Sequence, residues 1–318
     1  MSDVRPGTVL GRAAERRPAG RARSRRTRST RVRVAMAFQI PSLLVLLGVV
    51  AFPLGYTLWL SFRSYSLVIP GRTGQWIGLG NFDRLLHDAQ FHHALELTGL
   101  YTVIAVAIEV VLGVAAAFAL NAVGRGRRLL TSLMLIPMIL APLIIGLMFN
   151  FLLNAQFGLF TYLVDTLGLP LPQNILGSPT WSFPALIFTD VWEWTPFIAL
   201  ITLAGIQALP GAPLEAARVE GASSWQIATR VILPMLRPIL LVAVLFRAAE
   251  AVREFDKVYI LTGGGPGSST MLNDLFTYRV SFVEWDLSYG AAIGIFMFAL
   301  TLFVAFFFFV VVERRTVR

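Results

Sequence analysis

Six stretches of this 318-residue chain stay apolar for too long to be single faces of soluble helices: residues 36–61, 98–120, 129–153, 184–208, 232–250 and 289–312. A hydrocarbon core of about 30 Å takes around 20 helical residues to cross. Lipid offers no partner for a free N–H or C=O, so such runs must be helices that satisfy their own backbone. The fifth stretch is the least uniform, because Arg247 and Glu250 lie toward its end. The pattern therefore predicts an all-α, polytopic membrane protein with six transmembrane helices. Residues 62–97 form a loop with an interfacial helix before the second span. Residues 98–312 form a five-helix core, and 209–238 is a polar interruption within it.

Composition agrees: 56% of the residues are hydrophobic and 14% charged, with a mean hydropathy of +0.69, where a soluble domain carries about 25% charge. The net charge of +9 is misleading until it is located. Residues 1–35 hold 11 of the 27 basic residues and 2 of the 18 acidic ones, leaving 16 of each sign in the body. A basic fold for nucleic acid is excluded. Residues 1–35 are Arg-, Pro-, Gly- and Ser-rich and read as a disordered tail that attracts lipid. The first apolar run has no clear small-x-small cleavage site, so an uncleaved first span is expected over a signal peptide. With the N-terminus inside, inner segments hold 20 basic residues and outer segments 6, Lys257 among them, which places both termini, 313–318 included, in the cytoplasm. The absence of cysteine removes disulfides, thiol catalysis and Cys-ligated metals.

The stretch LPGAPLEAARVEGASSWQIATRVILPMLRP (209–238) is too polar to span, yet it is patterned. Pro213 suits a first helical turn and Glu215 the positive end of the dipole. Gly221 interrupts the helix, and Ser223 with Gln226 forms a capping-box pattern that starts another. A short helix, a glycine turn and a second helix leading into the fifth span are predicted. Such an elbow can dock in a partner's groove, or it can simply be two interfacial helices.

Here the chain resembles a family. Glu215-Ala216-Ala217, three residues, Gly221, nine residues and Val231-Ile232-Leu233-Pro234 match the EAA loop of binding-protein-dependent ABC importer permeases. The one departure is Val231, where the pattern prefers Ile. Residues 78–99 and the FDKVYILTGGGPGSST segment (255–270) resemble the sugar branch, the maltose-permease kind. The resemblance covers essentially 38–312. It implies a permease core with a cytoplasmic coupling loop, in which Glu215, Ala216, Ala217, Gly221, Leu233 and Pro234 meet an ATPase. It also implies a second homologous permease, a cytoplasmic ATPase dimer and an extracytoplasmic sugar-binding lipoprotein. The expected location is the bacterial cytoplasmic membrane, and the expected cargo a disaccharide such as trehalose or maltose. No cofactor is expected on this chain, and the Gly263–Gly267 run has no phosphate-loop continuation. ATP and Mg would belong to the ATPase, so this chain is not an enzyme.

Ionisable residues within spans are costly and usually face a cavity or a partner. Glu109 lies in the second span, Asp190 and Glu193 in the fourth, Arg247 and Glu250 in the fifth. Carboxylates interleaved with indoles, as in Asp190-Val191-Trp192-Glu193-Trp194, suit a sugar. Counting back from the motif, the resemblance places Asp190, Glu193 and Trp194 at sugar-lining positions. Counting forward from Leu233-Pro234, it places Arg247, Glu250 and Ala251 at others. Maltose permease is mostly neutral there, so side-chain roles do not carry over. Asp190, Glu193, Arg247 and Glu250 could equally form a structural ion-pair network or meet the second permease. Glu109, alone in its span, is expected to be structural or at a subunit interface. His92 and Glu96 sit at i, i+4, but an interfacial helix explains them and no metal site is assigned. Pro137, Pro142, Pro184 and Pro196 are expected to kink spans, and Phe306–Phe309 to face lipid. A proton-coupled secondary transporter using Glu109, Asp190 and Glu193 is the main rival. A membrane-embedded enzyme is a further one.

Overall fold

The computed structural model describes residues 39–316, with side chains through 306. The tail at 1–35, the last two residues and the side chains of Phe307–Phe309 lie outside the described residues. Among the described residues, those to Tyr56 belong to one compact unit and those from Thr57 to another. Helix α1, Gln39–Ser61, is apolar, and every residue from 39 to 56 is exposed. A helix apolar all round suits lipid.

The second unit begins with an element the apolar pattern did not show, a two-stranded antiparallel ribbon of β1 (Arg63–Tyr65) and β2 (Thr73–Trp76). Helices α2 (Gly80–His87) and α3 (Ala89–Ala122) follow. The expected interfacial helix and second span are thus largely one 34-residue rod, about 51 Å long at 1.5 Å per residue. Asp88 starts it by accepting from the backbone N–H groups of Gln90 and Phe91. The ribbon segment is tied to the head of the last helix, α12 (Leu287–Thr316). Arg72 and Arg84 both reach Asp286 at 2.7 Å, and the Tyr289 hydroxyl donates to Asp88 at 2.6 Å.

The third apolar stretch is not one helix. It is α4 (Arg127–Met134), a turn at Ile136–Ile139 and α5 (Pro142–Leu152), bent by 93° at the break. The cause is local: Pro142 disfavours a helical conformation for Ala141, whose ψ is 138°. Helix α6 is Leu159–Leu167. Pro196, by contrast, lies inside α7 (Ser182–Ala208), which continues through it. Then come α8 (Gly211–Val219) and α9 (Ser224–Val252). Two six-residue helices, α10 (Asp256–Leu261) and α11 (Asn273–Tyr278), precede α12. Among the described residues, five helices are long and apolar enough to cross a membrane, six if the bent pair counts as one span.

α3, α7 and α9 pack together at the centre. Gly113 on α3 allows this: a Cβ there would lie 2.7 Å from the Ile198 Cβ of α7, so the backbones approach as small residues permit in membranes. A large core (Tyr101, Ala105, Phe149, Leu186, Tyr289 and others) holds one end. A smaller one at the other end joins Ala117, Leu120, Leu203, Ile206, Ile232 and Leu236.

Candidate functional site

At the end of α7 and α9 formed by residues 209–234, the elbow is built as its sequence dictates. Gly221 takes φ +79°, the left-handed turn that ends α8. Both capping-box bonds are present: the Gln226 N–H donates to Ser223 Oγ, and the Ser223 N–H donates to Gln226 Oε1 at 2.8 Å. Glu215, Ala216 and Gly221 are exposed, Ala217 is half-buried, and Leu233 and Pro234 are half-buried at the base of the fifth span. Leu214 and Ile227 turn inward and pack on the smaller core, against the group that includes Ile232 and Leu236. The elbow is therefore open on one side and seated on the long helices by the other. Val219 at 88% exposure and Trp225 at 76% stand out from it. They occupy unspecified positions within the motif's span, so the spacing did not single them out.

In the middle of the bundle the charges close on one another. Arg247 donates to both oxygens of Glu109, at 2.8 and 3.0 Å, and also to Asp190. Lys257 reaches Asp190 at 2.7 Å, Glu193 at 2.5 Å and Glu254 at 2.8 Å. Asp190 is thus shared by both cations, and every member except Glu254 is buried to 3% exposure or less. Glu109 is not isolated: it is the bidentate partner of Arg247, 138 residues away. Lys257, counted as an outer-loop cation on sequence, is fully buried instead. Its ammonium would be lowered by burial, but Glu254, Asp190 and Glu193 hold it above the usual lysine range. Burial raises Glu254, and Asp190 adds to this against the pull of Lys257. The three-residue step from Glu254 to Lys257 was the available signal.

Glu250 is half-buried and stands outside these ion pairs, and Ala251 is buried in the larger core. Trp194 is half-buried, with the Arg247 guanidinium 4.9 Å from its ring centre. Its ring meets Phe197 edge-on at 5.8 Å, and Phe197 packs on Phe246 at 5.4 Å. An ionic wall thus backs a partly open aromatic group. Among the described residues, no cluster of three or more His, Asp or Glu side chains could hold a metal ion.

Residues 109–318 match the family described as binding-protein-dependent transport system inner membrane component. The chain belongs to this family. The permease is 35% identical to the trehalose/maltose transport system permease protein MalF of Thermococcus litoralis, over 83% of this chain and 88% of that one. It is 34% identical to the trehalose transport system permease protein SugA of Mycobacterium tuberculosis, over 87% of each. It is similar to both, and neither name passes to it. A bacterial ABC transporter that imports the acidic polysaccharide alginate shares the fold, with a TM-score of 0.78 at 22% identity, covering 90% of this chain and 96% of that one. The permease is the transmembrane, non-catalytic kind of subunit. Membership of this family displaces the proton-coupled and membrane-enzyme alternatives.

Proposed function

We propose that this permease imports a disaccharide, trehalose or maltose, across the bacterial cytoplasmic membrane with both termini in the cytoplasm. A second homologous permease completes the path. A cytoplasmic ATPase dimer, which carries the ATP and Mg, docks at the elbow, and an extracytoplasmic sugar-binding lipoprotein delivers the cargo. The observation that carries the reading is the elbow. Glu215, Ala216 and Gly221 are presented on a capped, exposed turn, while Leu214 and Ile227 of the same turn are seated on the group holding Ile232 and Leu236 of the fifth span. ATPase closure pushes on Glu215–Gly221, and the seated side chains pass the displacement to α9 and α7. Leu233 and Pro234 are the pivot where the elbow becomes span. Those two helices carry Asp190, Glu193, Trp194, Arg247, Glu250 and Ala251, so the same displacement alters the site. In this reading Trp194 offers a sugar face, Glu250 accepts from its hydroxyls, and the ion pairs of Asp190, Glu193 and Arg247 form the wall behind them. Ala251 leaves room beside Glu250. The carbohydrate cargo is supported by the trehalose and maltose transport of the two 34–35% identical relatives.

The test is ATP hydrolysis by the full assembly in proteoliposomes, with and without trehalose or maltose on the binding protein. Sugar-stimulated hydrolysis that disappears in Glu215→Ala, with assembly intact, is the expected result. Hydrolysis indifferent to both sugar and Glu215 would overturn the reading.

A further inference from the structure

Four aromatic rings lie together at the end of span five opposite the elbow. Phe255 stacks on Tyr259, with centres 5.4 Å apart and planes 18° apart. Tyr278 packs on both, at 5.3 and 5.6 Å, and on Phe282 at 5.5 Å. Tyr259 is 46% and Phe282 57% exposed, so the cluster presents ring surface outward. The mounting is rigid. Lys257, on the same short helix as Tyr259, is locked among three carboxylates, and two residues along a helix turn by about 200°, which sends Tyr259 the other way. Phe255 and Tyr278 pack on the larger core.

We propose that Phe255, Tyr259, Tyr278 and Phe282 form a second carbohydrate subsite, a stacking platform for a pyranose ring. The inference rests on the sugar-importer reading and adds a site to it. A pyranose has an apolar C–H face and a rim of hydroxyls. Flat exposed rings match the face, and the phenol oxygens of Tyr259 and Tyr278 match the rim, as amphipathic aromatics do at mixed surfaces. Arg253, Asp256 and Arg279, all exposed, flank these rings in sequence. Such a charged surround suits a hydrated ligand and is costly against hydrocarbon. Phe255 lies nine residues beyond Phe246 and past the end of span five at Val252, so the platform lies beyond the Trp194–Phe197–Phe246 group on the side away from the elbow. Glu250 lies between them. A sugar leaving the binding protein would meet the platform first and the inner group second.

The test uses the assembled transporter with binding protein loaded with a diazirine-bearing trehalose or maltose, followed by irradiation and peptide mapping. Adducts on 255–259 or 278–282 that excess plain sugar suppresses are expected. The pair Tyr259→Ser and Phe282→Ser should raise the half-saturating sugar for ATP hydrolysis by about three- to tenfold. Tyr259→Phe, which keeps the ring, should largely restore it. Adducts near Trp194 with none on the platform would overturn this subsite and leave the importer standing. Loss of the second permease from the purified Tyr259→Ser complex would make the rings a subunit contact and also overturn it. Hydrolysis indifferent to any sugar would remove the importer reading itself, and this inference with it.

Discussion

The elbow and the centre of the bundle carry polarity in opposite ways. At the elbow, Glu215, Arg218, Glu220 and Arg230 are all exposed, and shape comes from local rules: a glycine turn and a reciprocal cap. In the bundle, Glu109, Asp190, Arg247 and Lys257 are withdrawn from solvent altogether, and shape comes from partners far apart in the chain. Exposed charges can serve a changing partner at little cost, because water compensates them when it leaves. Buried charges must be compensated at all times, so they fix one arrangement. The elbow is suited to contact and release, and the network to holding α3, α7, α9 and α10 in register.

The sharpest way to break this contrast is Arg247→Met, which strands Glu109 and Asp190. Removing one partner of a buried ionic group costs about 3–5 kcal/mol, so the thermal midpoint of the purified permease should fall steeply. Adding Glu109→Gln and Asp190→Asn should recover part of that loss, because coupled sites are not additive. Gly113→Val is next. Even a lone Cβ at 113 would lie 2.7 Å from Ile198, and overpacking of that kind costs about 1–3 kcal/mol, measurable by the same melt.

Asp274, on α11 at the end away from the elbow, extends the test of buried charge to pH. Burial raises it to about 6, with Arg253 lowering and Glu254 raising it further. The folded protein therefore prefers the protonated acid, and stability falls as pH rises from the ordinary carboxylate range through about 6, then levels off. Asp274→Asn should raise the thermal midpoint near pH 8 and change it little near pH 4. On the elbow the effects shrink. Ser223→Ala removes one cap bond, worth about 1 kcal/mol, visible as faster amide exchange at residues 224–227. Glu215→Ala should move stability by less than about 0.5 kcal/mol while abolishing sugar-stimulated ATP hydrolysis.

What could be read in advance follows the same division. Local rules wrote the elbow: Gly221, Ser223 and Gln226 sit where their residue types demand, and the long apolar runs became helices. The ion pairs were only half legible. Asp190, Glu193 and Arg247 were conspicuous as costly residues in spans, but which groups they meet depends on how α3, α7 and α9 cross, which no spacing encodes. Glu109 looked solitary because its partner is 138 residues away. Lys257 looked like a loop cation because its segment is rich in glycine. The third apolar stretch is bent rather than straight for a local reason underweighted by hydropathy: Pro142 acts on Ala141 however apolar the neighbourhood.

The long separation within the Glu109–Arg247 pair also bears on biogenesis. Glu109 leaves the ribosome well before Arg247 exists, and a lone acidic residue at the centre of a span costs about 2.5–3.5 kcal/mol on insertion. Until the fifth span arrives, the second must be retained by its many apolar residues or by the insertion machinery. Span five then brings a lone arginine of its own. Each helix is apolar enough to span alone, but each carries a charge that the other compensates, and the pair forms only after the fifth span has been made. Assembly of this permease therefore has a late commitment point, after which its charges are sealed away from lipid.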